Sequence, residues 1–189
     1  MPHIFLETPR LILREWQESD HEPFIRLNAD PEVMEYFPSV RSAEESMSQI
    51  GRIVANMEKF GYGFFAVERK DNGQFIGFTG LTNAPFESWF TPCVEIGWRL
   101  SREHWGHGFA TEAARACLDY GFLQLQLDQI YSFTSIHNTR SEQVMKKIGM
   151  VKEGVFGHPS IAEGNWLREH ILYKISRDEK LQKGGGAAV

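Results

Sequence analysis

Apolar and polar positions change their spacing several times along the 189-residue chain, and each change marks an element. Leu11, Ile12 and Leu13 follow the Thr8-Pro9 break, which biases the chain toward extended backbone, and predict a first strand over 11–14. A short helical pattern covers Pro23 to Ala29. A longer helix opens at Ser42-Ala-Glu-Glu45, where a serine and a glutamate three residues on form a capping box. It runs to Phe60 with Met47, Ile50, Ile53, Val54 and Met57 on its apolar face, and Gly61 stops it.

From Gly63 the pattern is extended. Phe64 to Glu68 and Phe75 to Leu81 are β-rich runs joined by Asp71-Asn72-Gly73, a hairpin-type turn signal, so they are expected as antiparallel neighbours. Cys93 to Leu100 predicts a fourth strand, the glycine-rich His104 to Ala110 a loop, and Thr111 to Phe122 a helix. Ile130 to Thr134 then reads as a fifth strand, Ser141 to Ile148 as a helix closed by Gly149, and 151–156 and 170–175 as two last strands. The class is α/β with mixed elements, without repeats. One domain over 1–180 is expected, and 181–189, ending Gly-Gly-Gly-Ala-Ala-Val, reads as a flexible tail.

Composition narrows the function classes. With 42% apolar and 24% charged residues the chain has the makings of a core, and disorder is excluded. A net charge of -5 gives no global cationic field, so neither direct nucleic-acid binding nor attachment to anionic membrane is expected. Glu7, Arg10 and Arg14 interrupt the N-terminal apolar residues, no run reaches membrane-spanning length, and Cys93 and Cys117 have no metal-motif or redox-motif spacing; a cytoplasmic protein with reduced cysteines is expected.

The unit with chemical content is strand, glycine loop, helix. In Trp105-Gly-His-Gly-Phe-Ala110, Gly106 and Gly108 let backbone amides close on a ligand, and the next helix adds its free amides and positive dipole end. Such a place binds phosphate. The alternative is a tight turn. The loop is neither a Walker sequence nor the dinucleotide GxGxxG.

Glu95-Ile-Gly-Trp98, the glycine segment through Ala113, Asn138-Thr-Arg-Ser141, Lys146 to Met150 and the opening Thr8-Pro-Arg-Leu-Ile-Leu-Arg14 together resemble the GCN5-related N-acetyltransferase (GNAT) superfamily, and within it the RimJ/RimL-like branch. The resemblance spans about Thr8 to Ile175 and implies a twisted mixed sheet splayed between its fourth and fifth strands, with acetyl-CoA in the split as co-substrate. It implies that Trp105, Gly106, His107, Gly108, Phe109, Ala110 and Thr111 hold the pyrophosphate through backbone amides. It implies that Trp98, Arg99 and Leu100 bind the pantetheine arm as an added strand would, leaving their side chains free to vary, and that Asn138 and Ser141 contact it further on. Trp105 stands where the family signature has Gln or Arg, and Met145 where many members have the tyrosine that protonates the departing thiolate. Ser141 is then the candidate acid, its alternative being a helix N-cap or polar contact.

Glu95 is the candidate base, on the opposite face of its strand from Val94 and Ile96, its alternative being an exposed or ion-paired strand carboxylate. A backbone amide near Ile96 to Trp98, where the family often has a β-bulge, would polarise the thioester. No metal is expected: His104 and His107 form an HxxH outside any helix. His137, His158 and His170 either line the acceptor cleft or make structural hydrogen bonds. Trp16, Tyr36, Phe37, Phe86, Trp89, Phe90 and Trp166 divide between core and acceptor pocket. Glu32, Glu35, Glu44 and Glu45 either attract a cationic acceptor or form a solvated face. The expected activity is acetyl transfer to a primary amine by direct attack in a ternary complex, favouring a protein N-terminal α-amine. The alternatives are a small amine (antibiotic, polyamine or amino acid) and a non-catalytic acetyl-CoA-binding module. The resemblance also admits a homodimer, though no self-complementary patch is legible in one chain.

Overall fold

The structure, a computed structural model, describes residues 2–184. Eight strands form one mixed sheet: β1 (Ile4–Glu7), β2 (Leu11–Arg14), β3 (Phe64–Arg69), β4 (Phe75–Asn83), β5 (Val94–Leu100), β6 (Gln129–Ser135), β7 (Val151–Gly157) and β8 (Glu169–Ser176). The helices are α1 (His21–Ala29), α2 (Ala43–Phe60), α3 (Phe109–Leu123), α4 (Thr139–Lys147) and α5 (Arg177–Gly184).

The order across the sheet is β1-β2-β3-β4-β5-β6-β8-β7. All pairs are antiparallel except β5 with β6, which run parallel and register at one pair, Glu95 opposite Tyr131. Parallel neighbours need a crossover, and α3 supplies it. The sheet therefore splays between β5 and β6. These are the predicted fourth and fifth strands; the count moves by one because Ile4–Glu7, an edge strand without apolar alternation, was not legible in the pattern.

Two cores sandwich the sheet. On one face Ile96, Leu100, Leu13, Phe65 and Ile130 pack with Ala113, Ala114, Cys117 and Leu118 of α3. On the other, Phe24 and Leu27 of α1, Ile50 of α2, Ala66 and Phe78 pack together. The α2 capping box forms as expected: Glu45 N–H donates to Ser42 Oγ at 3.1 Å and Ser42 N–H to the Glu45 carboxylate at 2.8 Å. Gly61, in the left-handed region at φ 74°, ends the helix. Met47, placed on the apolar face by spacing, is instead 37% exposed, because Ser46 takes the buried position.

Most other boundaries shift by one or two residues, and three of the differences bear on the site or the tail. α3 starts at Phe109 rather than Thr111, since Gly108 makes the turn. α4 starts at Thr139 rather than Ser141, since Asn138 caps it. The last helix extends to Gly184, into the stretch read as tail; residues 185–189 of that tail lie outside the described residues.

Candidate active site

Where β5 and β6 part they open a cleft of about 760 Å³. Ser132 Oγ on β6 donates to the Ile96 carbonyl at 2.9 Å, so this carbonyl points across to β6. Backbone groups alternate sides along a strand, so the N–H and C=O of Trp98 point the same way, into the gap beyond the last register pair. Leu100 presents its carbonyl on that side too, and the Trp105 indole N–H donates to it at 2.8 Å. The result is a short sheet edge with the Trp98 groups available to a ligand lying along it. The expected bulge in β5 is absent: β4 and β5 keep unbroken register from Asn83 opposite Val94 to Gly77 opposite Leu100. The opening comes from divergence of β6 instead.

The glycine loop stands at one end of the cleft. Gly106 and Gly108 take φ values of 77° and 81°, which side-chain-bearing residues adopt at a cost of about 1–2 kcal/mol. Glu112 N–H makes the first intrahelical bond of α3, to the Gly108 carbonyl. The amides of Phe109, Ala110 and Thr111 thus lie ahead of that ladder, and all three residues line the cleft. A clamp from the N-terminus holds the loop. Thr8 Oγ1 donates to Glu112 at 2.6 Å, Arg10 donates to Glu112 from both backbone and guanidinium, and Arg10 Nη1 reaches the His107 carbonyl at 3.0 Å. These bonds outweigh burial and hold the Glu112 carboxyl below its usual range. Of the predicted cofactor residues, His107 stands off the cleft: it is exposed, with its ring turned back to the Trp105 carbonyl, because Gly106 and Gly108 swing the loop around it. The clamp was not legible, since its partners lie 97 to 104 residues apart in sequence.

Glu95 sits at the vertex of the splay and lines the cleft. It makes no hydrogen bond or ion pair among the described residues, so it is not the ion-paired strand carboxylate of the alternative reading. Desolvation raises its carboxyl to about 8. Across the cleft, the His158 and His170 rings lie 4.9 Å apart. Burial pushes His170 down to about 4, so it is neutral at physiological pH. His137 is exposed against Trp166.

Asn138 and Ser141 line the far wall. Asn138 Oδ1 accepts the Ser141 N–H at 3.1 Å and its amide donates to Thr134 Oγ1 at 3.0 Å, so Asn138 is the helix cap and the Ser141 hydroxyl is not. That hydroxyl has no hydrogen-bond partner among the described residues. Met145, 1% exposed, joins the core beneath it. Of the aromatics, Tyr36 and Phe37 line the cleft; Trp16 packs in the α1–α2 core, Phe86 and Phe90 in a cluster with Phe156, and Trp89 and Trp166 are exposed. Glu32 and Glu35 form no helix face: they sit on the segment between α1 and α2 and pair with Arg102 and Arg140 on either side of the cleft. Cys93 and Cys117 are free thiols that do not line the cleft, and burial raises Cys93 to about 11. Among the described residues no three or more His, Cys, Asp or Glu gather as metal ligands would.

The side chains of Trp98, Arg99 and Leu100 are not free to vary. Leu100 is core, Trp98 packs against it, and Arg99, 8% exposed, points to the opposite face of β5. Strand alternation showed that Arg99 shares a face with Glu95; what lies on that face depends on α1 and the loop after it.

The acetyltransferase (GNAT) domain model matches residues 10–151. A Bacillus subtilis protein described as an uncharacterized N-acetyltransferase, YnaD, is 32% identical over 177 residues, covering 92% of this chain and 98% of that one. The crystal structure of a GNAT-family acetyltransferase from Bacillus anthracis is 28% identical with a TM-score of 0.77, covering 93% and 99% of the two chains. The same fold, at lower identity, occurs in a RimL ribosomal alpha-N-protein acetyltransferase solved with coenzyme A (16%, TM-score 0.75, covering 94% and 99%). It occurs also in a Vibrio cholerae spermidine N-acetyltransferase solved with CoA and spermine (22%, TM-score 0.72, covering 92% and 99%). The chain belongs to the GNAT acetyltransferase family and is an N-acetyltransferase.

Proposed function

We propose that this enzyme takes acetyl-CoA as donor and passes the acetyl group directly to a primary amine in a ternary complex, within one domain over 1–180. The favoured acceptor is a protein N-terminal α-amine, as in the RimJ/RimL-like branch, and the setting is the cytoplasm. The observation that carries this reading is the desolvated, unpartnered Glu95 carboxyl at the vertex of the splay.

The donor supplies an activated acetyl thioester. Amides of 109–111, in the loop held by Thr8, Arg10 and Glu112, take its pyrophosphate, and the Trp98 carbonyl on the open strand edge accepts from the pantetheine arm. The gap-facing Trp98 N–H is the donor available to the carbonyl oxygen as negative charge develops there. Glu95, with a carboxyl titrating near the working pH, removes a proton from the attacking amine as the C–N bond forms. Ser141, one turn along α4 from the Asn138 cap, passes its hydroxyl proton to the sulfur as the C–S bond breaks and recovers one from solvent water in the cleft, the role vacated by Met145. Thiol release from acetyl-CoA over a panel of N-terminal peptides, polyamines, amino acids and aminoglycosides, with mass spectrometry of the product, tests the assignment. Acetyl on a peptide α-amine is expected; acetyl only on small amines moves the acceptor to the other class, which the spermidine enzyme of the same fold makes the second reading.

A further inference from the structure

We propose that the acceptor carries a carboxylate near its reacting amine, and that Arg99, with Arg41 behind it, is the site that recognises it. This rests on the transferase reading above and adds the chemical class of the acceptor.

Arg99 lies two alternations along β5 from Glu95, on the same face, with Cα atoms about 13 Å apart by the strand rise. Between them Gly97 has no side chain, and the Phe64 ring lies where its Cβ would be, 3.2 Å away, so Phe64 forms the floor of the cleft that Glu95 and Arg99 both line. The Arg99 guanidinium is wedged 4.1 Å over the Phe37 ring and 5.4 Å from Phe78, and Nη1 donates to Asn28 Oδ1 at 2.6 Å. Asn28 is held in turn by Ser46 and Gln49 of α2. This is a built, oriented cation, yet its Nε has no partner, and neither has the buried Nε of Arg41.

No carboxylate answers either charge among the described residues. Glu32 and Glu35, the acids at the cleft mouth, are spent on Arg102 and Arg140, and Glu95 pairs with neither arginine. Burial, and then repulsion from the neighbouring Arg41, holds Arg99 down at about 9. A buried charge is retained at such a cost only where something compensates it, and a planar guanidinium with a free N–H fits a carboxylate. The cofactor's phosphates, on the amides of 109–111, do not reach it: Phe109, Ala110 and the rest of α3 pack on the other face of β5, with Ile96 and Leu100 between. The occupant is therefore on the acceptor side. A polyamine would set a cation against Arg99; an amine with a carboxylate a residue or two away spans from Glu95 to Arg99.

The test compares kcat/KM for hexapeptides with Glu or Asp at the second or third position against the Gln and Lys counterparts, with free glutamate and spermidine as further arms. The wild-type enzyme is expected to prefer the acidic peptides over their Gln isosteres by about ten-fold or more, and Arg99→Gln to bring that ratio close to one. If that variant does not fold, the ratio is read in Arg41→Gln, where it is expected to fall several-fold. Preference for free glutamate over peptides assigns the carboxylate to an amino acid, and the reverse to a protein N-terminus. A wild-type ratio near one, a preference for spermidine, or a ratio retained in a folded variant overturns the inference and leaves the transferase standing. Transfer to none of these acceptors overturns both.

Discussion

At the scale of single residues the account turns on Glu95. Its carboxyl stays neutral in the folded protein up to about pH 8, whereas an unfolded one ionises near 4.5. Between those values the folded state binds more protons, so stability falls as pH rises from about 4.5 to 8 and is level beyond. Glu95→Gln removes that fall: thermal melts should show it more stable than wild type at pH 9 and no more stable at pH 4. Equal shifts at both pH values contradict the desolvated-carboxyl assignment. Catalysis runs the other way, because the base acts only when ionised. Below pH 7 two ionisations then limit wild-type kcat/KM, the Glu95 carboxyl and the acceptor's α-amine at about 7.7–8.0. Glu95→Gln should lose about 10²–10⁴-fold in rate and keep the amine's limb only. For Ser141, the unpartnered hydroxyl predicts that Ser141→Ala lowers kcat by about 10²-fold with unchanged acetyl-CoA affinity by calorimetry. Unchanged kcat would return Ser141 to a polar wall.

At the scale of elements, the loop before α3 is preorganised by backbone geometry and by a clamp from another part of the chain. Gly108→Val forces a β-branched residue to φ 81°, and Arg10→Ala removes bonds to both Glu112 and His107. Both should weaken acetyl-CoA binding about ten-fold or more, read by calorimetry, as expected where loop geometry rather than a side chain holds the anion. A Gly108→Val enzyme with wild-type affinity would show that the amides are not the site. The elements were legible to different degrees for physical reasons. Local signals survived intact: the Ser42–Glu45 box, the Gly61 stop and the strand-loop-helix unit depend on neighbours a few residues apart. Ile4–Glu7 escaped notice because an edge strand exposed at both ends lacks alternation. The Thr8 and Arg10 clamp, and the surroundings of Arg99, depend on contacts separated by 70 to 105 residues, which no local period reports. Read from the strand, Arg99 was a backbone contact; the cage of Asn28, Phe37 and Phe78 emerges only once α1 is packed on the sheet.

At the scale of the molecule, one topological step organises everything. A single parallel pair in an otherwise antiparallel sheet requires the α3 crossover, and the crossover brings a helix N-terminus to the place where the strands part. On the proposed reading donor and acceptor approach from opposite faces of β5: Trp98 and the amides of 109–111 on the α3 side, Glu95, Gly97 and Arg99 on the α1 side. The chain's net charge of -5 gives little hint of this, because the cleft keeps its cations while the acids at its mouth are paired. The central claim is amine-dependent acetyl transfer through this cleft. Its most direct measurement is release of free CoA thiol from acetyl-CoA with and without N-terminal peptides, followed by mass spectrometry of the peptide. Thiol release that requires the peptide and leaves one acetyl group on its α-amine is the predicted result; binding of acetyl-CoA with no amine-dependent release across peptides and small amines would contradict it.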